Sequence, residues 1–515
     1  MDDIAKWAIE SSSDSESSSD SPRVFWLTGQ AGSGKTTIAY TIIKRFEDDD
    51  NTNQRTVLGG DFLCSRHFEE TQQQSRIIPT IAYQLTHKCK SYADALYVAQ
   101  KFNAVNHDVV TQLKDLLIGP WEQSEPTRSP EQPPFLIVID GLDELTGDGG
   151  TVFLRDLLMT IDKYDLRGFK FLVTSRSHPE VVQLCQSFAS RTVCHLQEVP
   201  IEEAKPDVKL YLEERLKELD GRPELDELVK RSGGLFIYAA TAVRYLNASV
   251  TVEKQIDMLR DLFSKPYPPS SPSDALLLID NLYQHIMMDA LANLDEKVLA
   301  RRLCILCTFL CTAERTSVST VTALVHRRFA PSGDDEAARA VLRDLYAVLY
   351  TRGDQVFWYH TSFADFIFTQ ARSTFRIGET DFAFSCNEPS HHRFLSKSCF
   401  RIMTAGLRFN MGNIPSSFLF DRDNAIALSK HVNKNIDASA RYASRHWTHH
   451  LATAESINTD DLCGCLSEFL QIRILFWIEA MNLLGFRDQC APMLQCAHQW
   501  VAKVWIISYK PCYNN

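Results

Sequence analysis

The chain has 515 residues, room for roughly three to five domains of ordinary size, so a single small module is excluded. Hydrophobic residues at 44% and charged residues at 23% supply apolar surface for several cores and exclude a wholly disordered or collagen-like chain. Lys and Arg number 54 against 65 Asp and Glu, and a net charge of −11 speaks against a protein whose main business is gripping a nucleic-acid backbone.

The first predicted segment, residues 1–21, is an acidic Ser-rich linker, because residues 10–21 are only Ser, Asp and Glu and cannot repay their ordering entropy by burial. Val24–Leu27 then reads as a strand, followed by a Gly-rich turn and a helix with Ile38, Ile42, Ile43 and Phe46 on one face. Val57–Cys64 is a second apolar run, IIPTIAYQL is helix-like, and Pro120–Pro134 reads as a polar surface loop. FLIVID (Phe135–Asp140) and FKFLVTSR (Phe169–Arg176) are continuous β-branched runs of the kind found in strands covered on both faces. Strands alternating with helices predict an α/β domain over 22–200, with a parallel sheet and helices on both faces.

From 201 to 265 the pattern is helical, with Val208, Tyr211, Leu212, Leu216 and Leu219 at helical spacing and Gly233-Gly234 ahead of LFIYAATAVRYL. The Pro/Ser stretch Lys265–Asp274 marks a boundary. Helical patterns fill 274–375 until QVFWYHTSFADFIF, a strand passing into a helix, and 376–510 reads as all-α. No repeat at a solenoid or propeller period is present. The 14 cysteines lie mostly in apolar runs such as Cys304-Ile-Leu-Cys307-Thr-Phe-Leu-Cys311, which predicts reduced thiols. With neither a leader pattern nor an apolar run long enough for a membrane span, the expected location is cytoplasmic, with no membrane partner.

Gly29-Gln-Ala-Gly-Ser-Gly34-Lys35-Thr36 fits G-x-x-x-x-G-K-[ST] between a strand and a helix. Such a loop turns its backbone amides into one concavity ahead of a helix N-terminus, so Gly29, Gly32, Ser33, Gly34, Lys35, Thr36 and Thr37 are candidate phosphate-binding residues. Lys35 would reach the β- and γ-phosphates and Thr36 would hold Mg²⁺. Asp140 ends the FLIVID strand as a second metal-holding residue, and Asp143 or Glu144 could orient or deprotonate an attacking water. Arg176 closes the next strand at the same sheet edge, where it could sense the γ-phosphate.

VFWLTGQAGSGKTTIA, LIVIDGLDEL, FKFLVTSR, GGLFIYAATAVRYL and YHTSFADF together resemble the NACHT-type NTPases of filamentous and mushroom-forming fungi, among the signal-transduction (STAND) P-loop ATPases. The phosphate-loop domain is similar to the nephrocystin-type N-terminal domain. The resemblance covers roughly residues 22 to 370. It implies a nucleotide-gated switch in signalling or self/non-self response, using ATP, ADP and Mg²⁺, with a helical subdomain at 201–265 and a winged-helix-like one at 274–375. It also implies slow ATP hydrolysis and self-association in the ATP state with unidentified signalling partners; that no nucleic-acid partner is expected follows from the net charge. Residue by residue, it makes Asp143 or Glu144 the catalytic acid, Arg176 the sensor arginine, and His360 a contact to the β-phosphate of ADP. The residues alone make His360 a satisfied histidine at a domain edge. They also leave adenine and guanine open, since Asp162-Lys-Tyr-Asp165 lacks the Asn of a guanine-reading motif.

Gly233-Gly234-Leu235 lacks the proline that many relatives place against the base. Relatives usually carry an effector unit before the NTPase and a repeat array after it, so the chain is expected to be a minimal core or an incomplete product. His446, His449 and His450 share a helix face but lack a fourth zinc ligand in sequence, and Cys463-Gly-Cys465 has the wrong spacing for a metal knuckle. The competing functions are a nucleotide-binding scaffold with negligible turnover and a P-loop kinase acting on a small molecule.

Overall fold

A computed structural model describes residues 2–9, 22–47, 56–129, 132–164, 166, 168–176, 179, 182–183, 194–198, 204–249, 251–264, 275–291, 294–326, 334–377, 380–414, 425–455 and 460–508. They form two compact units, Met1–Ile279 and Asp280–Asn515.

The first unit is built on a five-stranded sheet of β1 (Val24–Thr28), β2 (Val57–Leu63), β3 (Phe135–Asp140), β4 (Phe169–Ser175) and β5 (Cys194–Glu198). The order is β2-β3-β4-β1-β5 and every pairing is parallel. Parallel strands need crossovers that cover the sheet, which is why β1, β3 and β4 are buried along their whole length. Alternate side chains feed two cores. Trp26, Ile137, Ile139, Phe171 and Val173 face one, with α3 (Ile77–Lys88) and the helix Gly149–Tyr164; Phe25, Leu27, Leu136, Val138 and Leu172 face the other, with α2 (Lys35–Glu47). This is the α/β P-loop NTPase architecture expected of 22–200, followed by mostly helical segments.

Two local expectations are corrected in this unit. Residues 2–9, placed by sequence in the linker, form α1 (Asp2–Ile9), whose Ile4, Ala5, Trp7 and Ala8 join the α2 core. The Trp7 ring lies 5.2 Å from Phe25, its Nε1 donates to Pro22 O at 2.7 Å, and Thr56 Oγ1 donates to Ala8 O at 2.6 Å. Lys170, buried in mid-strand, donates to the Trp7 carbonyl, so the end of α1 offers an acceptor to an ammonium that the sheet interior cannot hydrate. Four apolar residues in so short a segment suffice for docking, whereas the Ser/Asp/Glu run 10–21 lies outside the described residues. The loop expected at Pro120–Pro134 instead begins with a helical turn, Gly119–Gln123, that buries Trp121 against Phe169 and Phe135 at 4.5 and 5.9 Å. Arg128 stacks on that indole at 3.5 Å.

Helices Lys205–Arg215, Pro223–Ser232, Phe236–Leu246 and Val252–Phe263 complete the first unit. Gly233 ends the second of these in the left-handed region at φ 57°, followed by Gly234 at φ 82°, so the glycine pair is a turn that reverses the chain. The boundary expected at Lys265–Asp274 lies outside the described residues.

In the second unit Glu296–Cys311, Val318–Val325 and Asp334–Asp344 precede an antiparallel hairpin, Leu349–Arg352 with Gln355–Trp358, and the helix Thr361–Phe368. Tyr283 packs its ring against Phe363 and Phe366, and Arg372 makes a bidentate pair with buried Asp280 at 2.6 and 2.9 Å. A second hairpin, Thr374–Ile377 with Thr380–Ala383, departs from the all-α reading of 376–510. Beyond it the helices Glu388–Gly406, Ala438–Thr453, Ile474–Leu483 and Cys490–Ser508 follow, with Phe400, Trp447, Phe469 and Trp477 meeting ring to ring. Among the described residues no helix is long and apolar enough to cross a membrane.

Candidate functional site

Register decides what meets at the C-terminal edge of the sheet. Thr28 pairs with Ser175 across β1 and β4, and Ile139 pairs with Val173 across β3 and β4. The loop after β1, Asp140 at the end of β3 and Arg176 after β4 therefore converge on one edge.

In the loop Gly32 and Gly34 hold φ of 78° and 91°, where a side chain would be strained. A Cβ on Gly32 would also stand 1.9 Å from Ile237 Cγ2, and one on Gly34 would meet Phe236 at 3.7 Å. The helix Phe236–Leu246 thus starts against the loop, and Phe236 and Ile237, which follow Gly233-Gly234-Leu235, pack on its glycines. Lys35, the first residue of α2, donates from Nζ to Gly29 O and Gln30 O at 2.7 and 2.8 Å. Burial lowers its pKa, while Asp143, Asp140 and Glu144 oppose that shift. Ser33 Oγ and Gln30 Oε1 are buried with no partner among the described residues. Thr36 and Thr37 lie exposed in the first turn of α2.

Asp140 is buried, and desolvation raises its pKa against the hydrogen bonds it receives from the Thr174 and Thr36 hydroxyls. Thr174 Oγ1 donates to Asp140 Oδ1 at 2.5 Å and accepts from Gly141 N–H at 2.9 Å, so one hydroxyl fixes the carboxylate and the turn after it. Gly141 takes φ 72°, and the 3₁₀ turn Leu142–Glu144 then sends its two acids to different partners. Asp143 is clamped: Oδ1 accepts from Arg176 N–H at 3.0 Å and Oδ2 pairs with Arg176 Nε at 2.9 Å. Glu144 accepts a backbone hydrogen bond from Arg66 N at 3.1 Å, and burial pushes its carboxyl up to about 7. Arg66 also donates from Nη2 to Asp143 O at 3.1 Å.

The structure thus gathers Gly29, Gly32, Ser33, Gly34, Lys35, Thr36, Asp140, Asp143, Glu144 and Arg176, and adds Thr174, Arg66 and Ile237, which sequence reading missed. Thr174 was legible in part, being two residues before Arg176 on a strand running to the same edge. Nothing in the sequence flags Arg66 or Ile237.

A model of the nephrocystin 3 N-terminal domain matches residues 3–176. That span runs from α1 through Arg176. No curated protein matches the chain. Among solved structures, a chain in the structure of Drosophila ORC bound to DNA aligns over 67% of this chain and 79% of its own length, at 15% identity and a TM-score of 0.26, a likeness too loose to carry an argument.

His360 belongs to the second unit, where it caps the helix Thr361–Phe368: Nδ1 accepts from Ser362 N–H at 3.1 Å and lies 2.8 Å from Ser362 Oγ. An accepting Nδ1 leaves the proton of the neutral ring on Nε2. The three histidines of the Ala438–Thr453 helix separate. His446 Nε2 lies 3.3 Å from Glu314 Oε1, whereas His450 meets His392 Nδ1 and Tyr442 OH, each at 2.8 Å, and His449 is exposed beside them. Asp162, Lys163 and Tyr164 are the last turn of the helix Gly149–Tyr164, and Asp165 lies outside the described residues.

Proposed function

We propose that the chain is an ATP-binding, slowly hydrolysing switch of the NACHT type among STAND ATPases, working in signalling or self/non-self response. The observation that supports this best is the meeting, at one sheet edge, of a cradled lysine, a hydroxyl–carboxylate pair and a glutamate poised near neutrality. The residues present fit a triphosphate: a loop whose Gly32 and Gly34 take positive φ, an α-helix N-terminus, a lysine held by the loop's own carbonyls, and a buried Ser33 hydroxyl with no partner among the described residues.

Bound ATP with Mg²⁺ would supply the transferable phosphoryl group and the metal's charge. In this reading the loop from Gly29 to Thr37 binds the phosphates, Lys35 neutralises them, and Thr36 with Asp140 holds the metal. Glu144 takes the proton of the attacking water, for which a pKa near 7 is suited. Asp143, or Glu144, is the catalytic acid of the resemblance; here Asp143 would act through Arg176, whose guanidinium it holds, and Arg176 would sense the γ-phosphate. His360, with its Nε2 proton, donates to the β-phosphate of ADP in the closed state, and the segments 201–265 and 274–375 serve as the helical and winged-helix parts of the switch. The ATP state self-associates and engages signalling proteins.

The test is Lys35→Ala in the full chain. ATP affinity by calorimetry should fall roughly ten- to a hundredfold, the loss expected for one hydrogen bond to a charged group, while the nucleotide-free protein stays folded and its melting temperature drops only by the loss of the two hydrogen bonds to Gly29 O and Gln30 O. Undiminished affinity overturns the assignment. Phosphate release with and without small-molecule acceptors separates the switch from a kinase, which needs the acceptor, and from a scaffold, which releases none.

A further inference from the structure

The run Cys304-Ile-Leu-Cys307-Thr-Phe-Leu-Cys311 is the C-terminal half of the helix Glu296–Cys311, and Cys307 and Cys311, four apart, lie on one face of it. A second contributor is the turn from Cys386 into the helix Glu388–Gly406. That turn is fixed at three points: Cys386 N–H donates to Ile367 O at 2.9 Å, Asn387 Oδ1 caps Ser390 N–H at 2.9 Å, and His391 N–H donates to Asn387 O at 2.9 Å. The Cys307 sulfur, the Cys386 sulfur and one ring nitrogen of His391 all fall within 4.8 Å of one another, and all three residues are buried. Cys311 is hydrogen-bonded to Cys386 through its sulfur, but that sulfur is not within 4.8 Å of all three of the other donors. None of the three cysteines is in a disulfide.

The tautomer of His391 follows from its neighbour. Thr308 Oγ1 donates to Cys304 O at 2.8 Å, so at its 3.0 Å contact with His391 Nε2 the hydroxyl oxygen accepts. His391 therefore carries its proton on Nε2 and a lone pair on Nδ1. An imidazole whose far N–H is anchored by a hydroxyl or carbonyl is oriented for ligation through the other nitrogen.

We propose that Cys307, Cys386 and His391 form a structural zinc site in the second unit, with Cys311, already hydrogen-bonded to Cys386, turning in as the fourth donor when the ion binds. Thiolate and imidazole donors select zinc over the hard cations, and a closed set of three cysteines and one histidine marks a structural rather than a catalytic ion. The spacings, C-x₃-C and C-x₄-H, fall within the ranges of known structural sites, with the two pairs far apart in sequence. Loading displaces the three thiol protons to solvent, leaves three thiolates and a neutral imidazole around Zn²⁺, and changes no oxidation state. The ion ties the end of Glu296–Cys311 to the start of Glu388–Gly406, a link independent of the nucleotide site.

The full chain, expressed in zinc-supplemented medium and purified without chelator, should carry about one zinc by elemental analysis. Cobalt exchanged into it should give thiolate-to-metal charge-transfer absorption in the near ultraviolet, a readout on the unaltered protein that needs no variant to fold. Cys307→Ser and Cys386→Ser should each lose the metal and the charge-transfer bands, while His449→Ala, which alters the neighbouring His392–His449–His450 group, should keep both. A chain that takes up neither ion overturns the proposal, as does a Cys311–Cys386 disulfide found by mass spectrometry in the protein as isolated. Metal retained by Cys386→Ser but lost from His449→Ala assigns it to the three imidazoles instead, and equally overturns the thiol site.

Discussion

At the sheet edge of the first unit Lys35, Asp140, Asp143, Glu144 and Arg176 are charged or poised to become so, and each is held by an opposite charge, a hydroxyl or a backbone group. The second unit has charged pairs of its own, such as Arg372 with buried Asp280, but it also holds a cluster of histidines with a tyrosine inside the helical core. There burial takes the His392 imidazole down to about 3, the His450 imidazole well below its ordinary value and the Tyr442 phenol well above its own, so all three stay neutral. A site that receives a mobile, highly charged ligand has to give each charge a partner between ligands, and Asp140, buried, and Glu144, half-buried, have theirs in Thr174 and the Arg66 backbone. Groups with no such visitor can stay neutral, provided neutral hydrogen bonds or a resident ion satisfy them. The difference lies in how the polar groups are kept, ionisable and partnered at the sheet edge, neutral in the histidine–tyrosine cluster.

The comparison breaks first if the edge of the first unit does not depend on what covers the sheet behind it. Trp7→Ala removes the indole that docks α1 on Phe25 and should destabilise the first unit by about 3–5 kcal/mol, read as a lower denaturant midpoint. An unchanged midpoint would make α1 a detachable appendage.

The two acids sharpen it next. Glu144→Gln should cut hydrolysis by at least about a hundredfold with ATP affinity retained. Asp143→Asn should do less to turnover and more to the setting of Arg176. Because only ionised Glu144 accepts a proton, kcat/KM for the parent should decline as pH falls through about 7, and the decline should vanish in Glu144→Gln. A pH-independent parent removes Glu144 from the role of base.

The smallest effect concerns His360, the residue of the second unit proposed to meet the β-phosphate of ADP. His360→Asn keeps a side chain able to cap Thr361–Phe368, whereas His360→Leu loses the cap at about 1 kcal/mol. If His360 meets ADP, both variants should release a fluorescent ADP analogue faster, by roughly ten- to a hundredfold, since both lose the donor to a charged phosphate. A change in stability for His360→Leu alone, with both off-rates unchanged, leaves His360 a capping residue only.

Residues close along the chain were readable before any coordinates. The strand, glycine turn and helix around Lys35, the buried run ending at Asp140, and the strand ending at Arg176 announce themselves because periodicity and chain reversal are set by neighbours in sequence. The fifth strand, Cys194–Glu198, was not separated from its surroundings, and α1 was hidden by the acidic run that follows it, whose composition outweighed four apolar residues.

What the tertiary structure alone decided is which polar groups share a space. Sequence could not choose between Asp143 and Glu144; burial and the Arg176 clamp separate them, because a carboxyl's pKa answers to neighbours that the fold supplies rather than to its own motif. It could not pair Thr174 with Asp140 or Arg66 with Glu144, which meet only through the parallel register and the turn after β2. Nor could it join Cys307 and Cys311 to Cys386 and His391. Sequence spacing reports ligands on one helix or one turn, and the closing of two such pairs on one point belongs to helix packing.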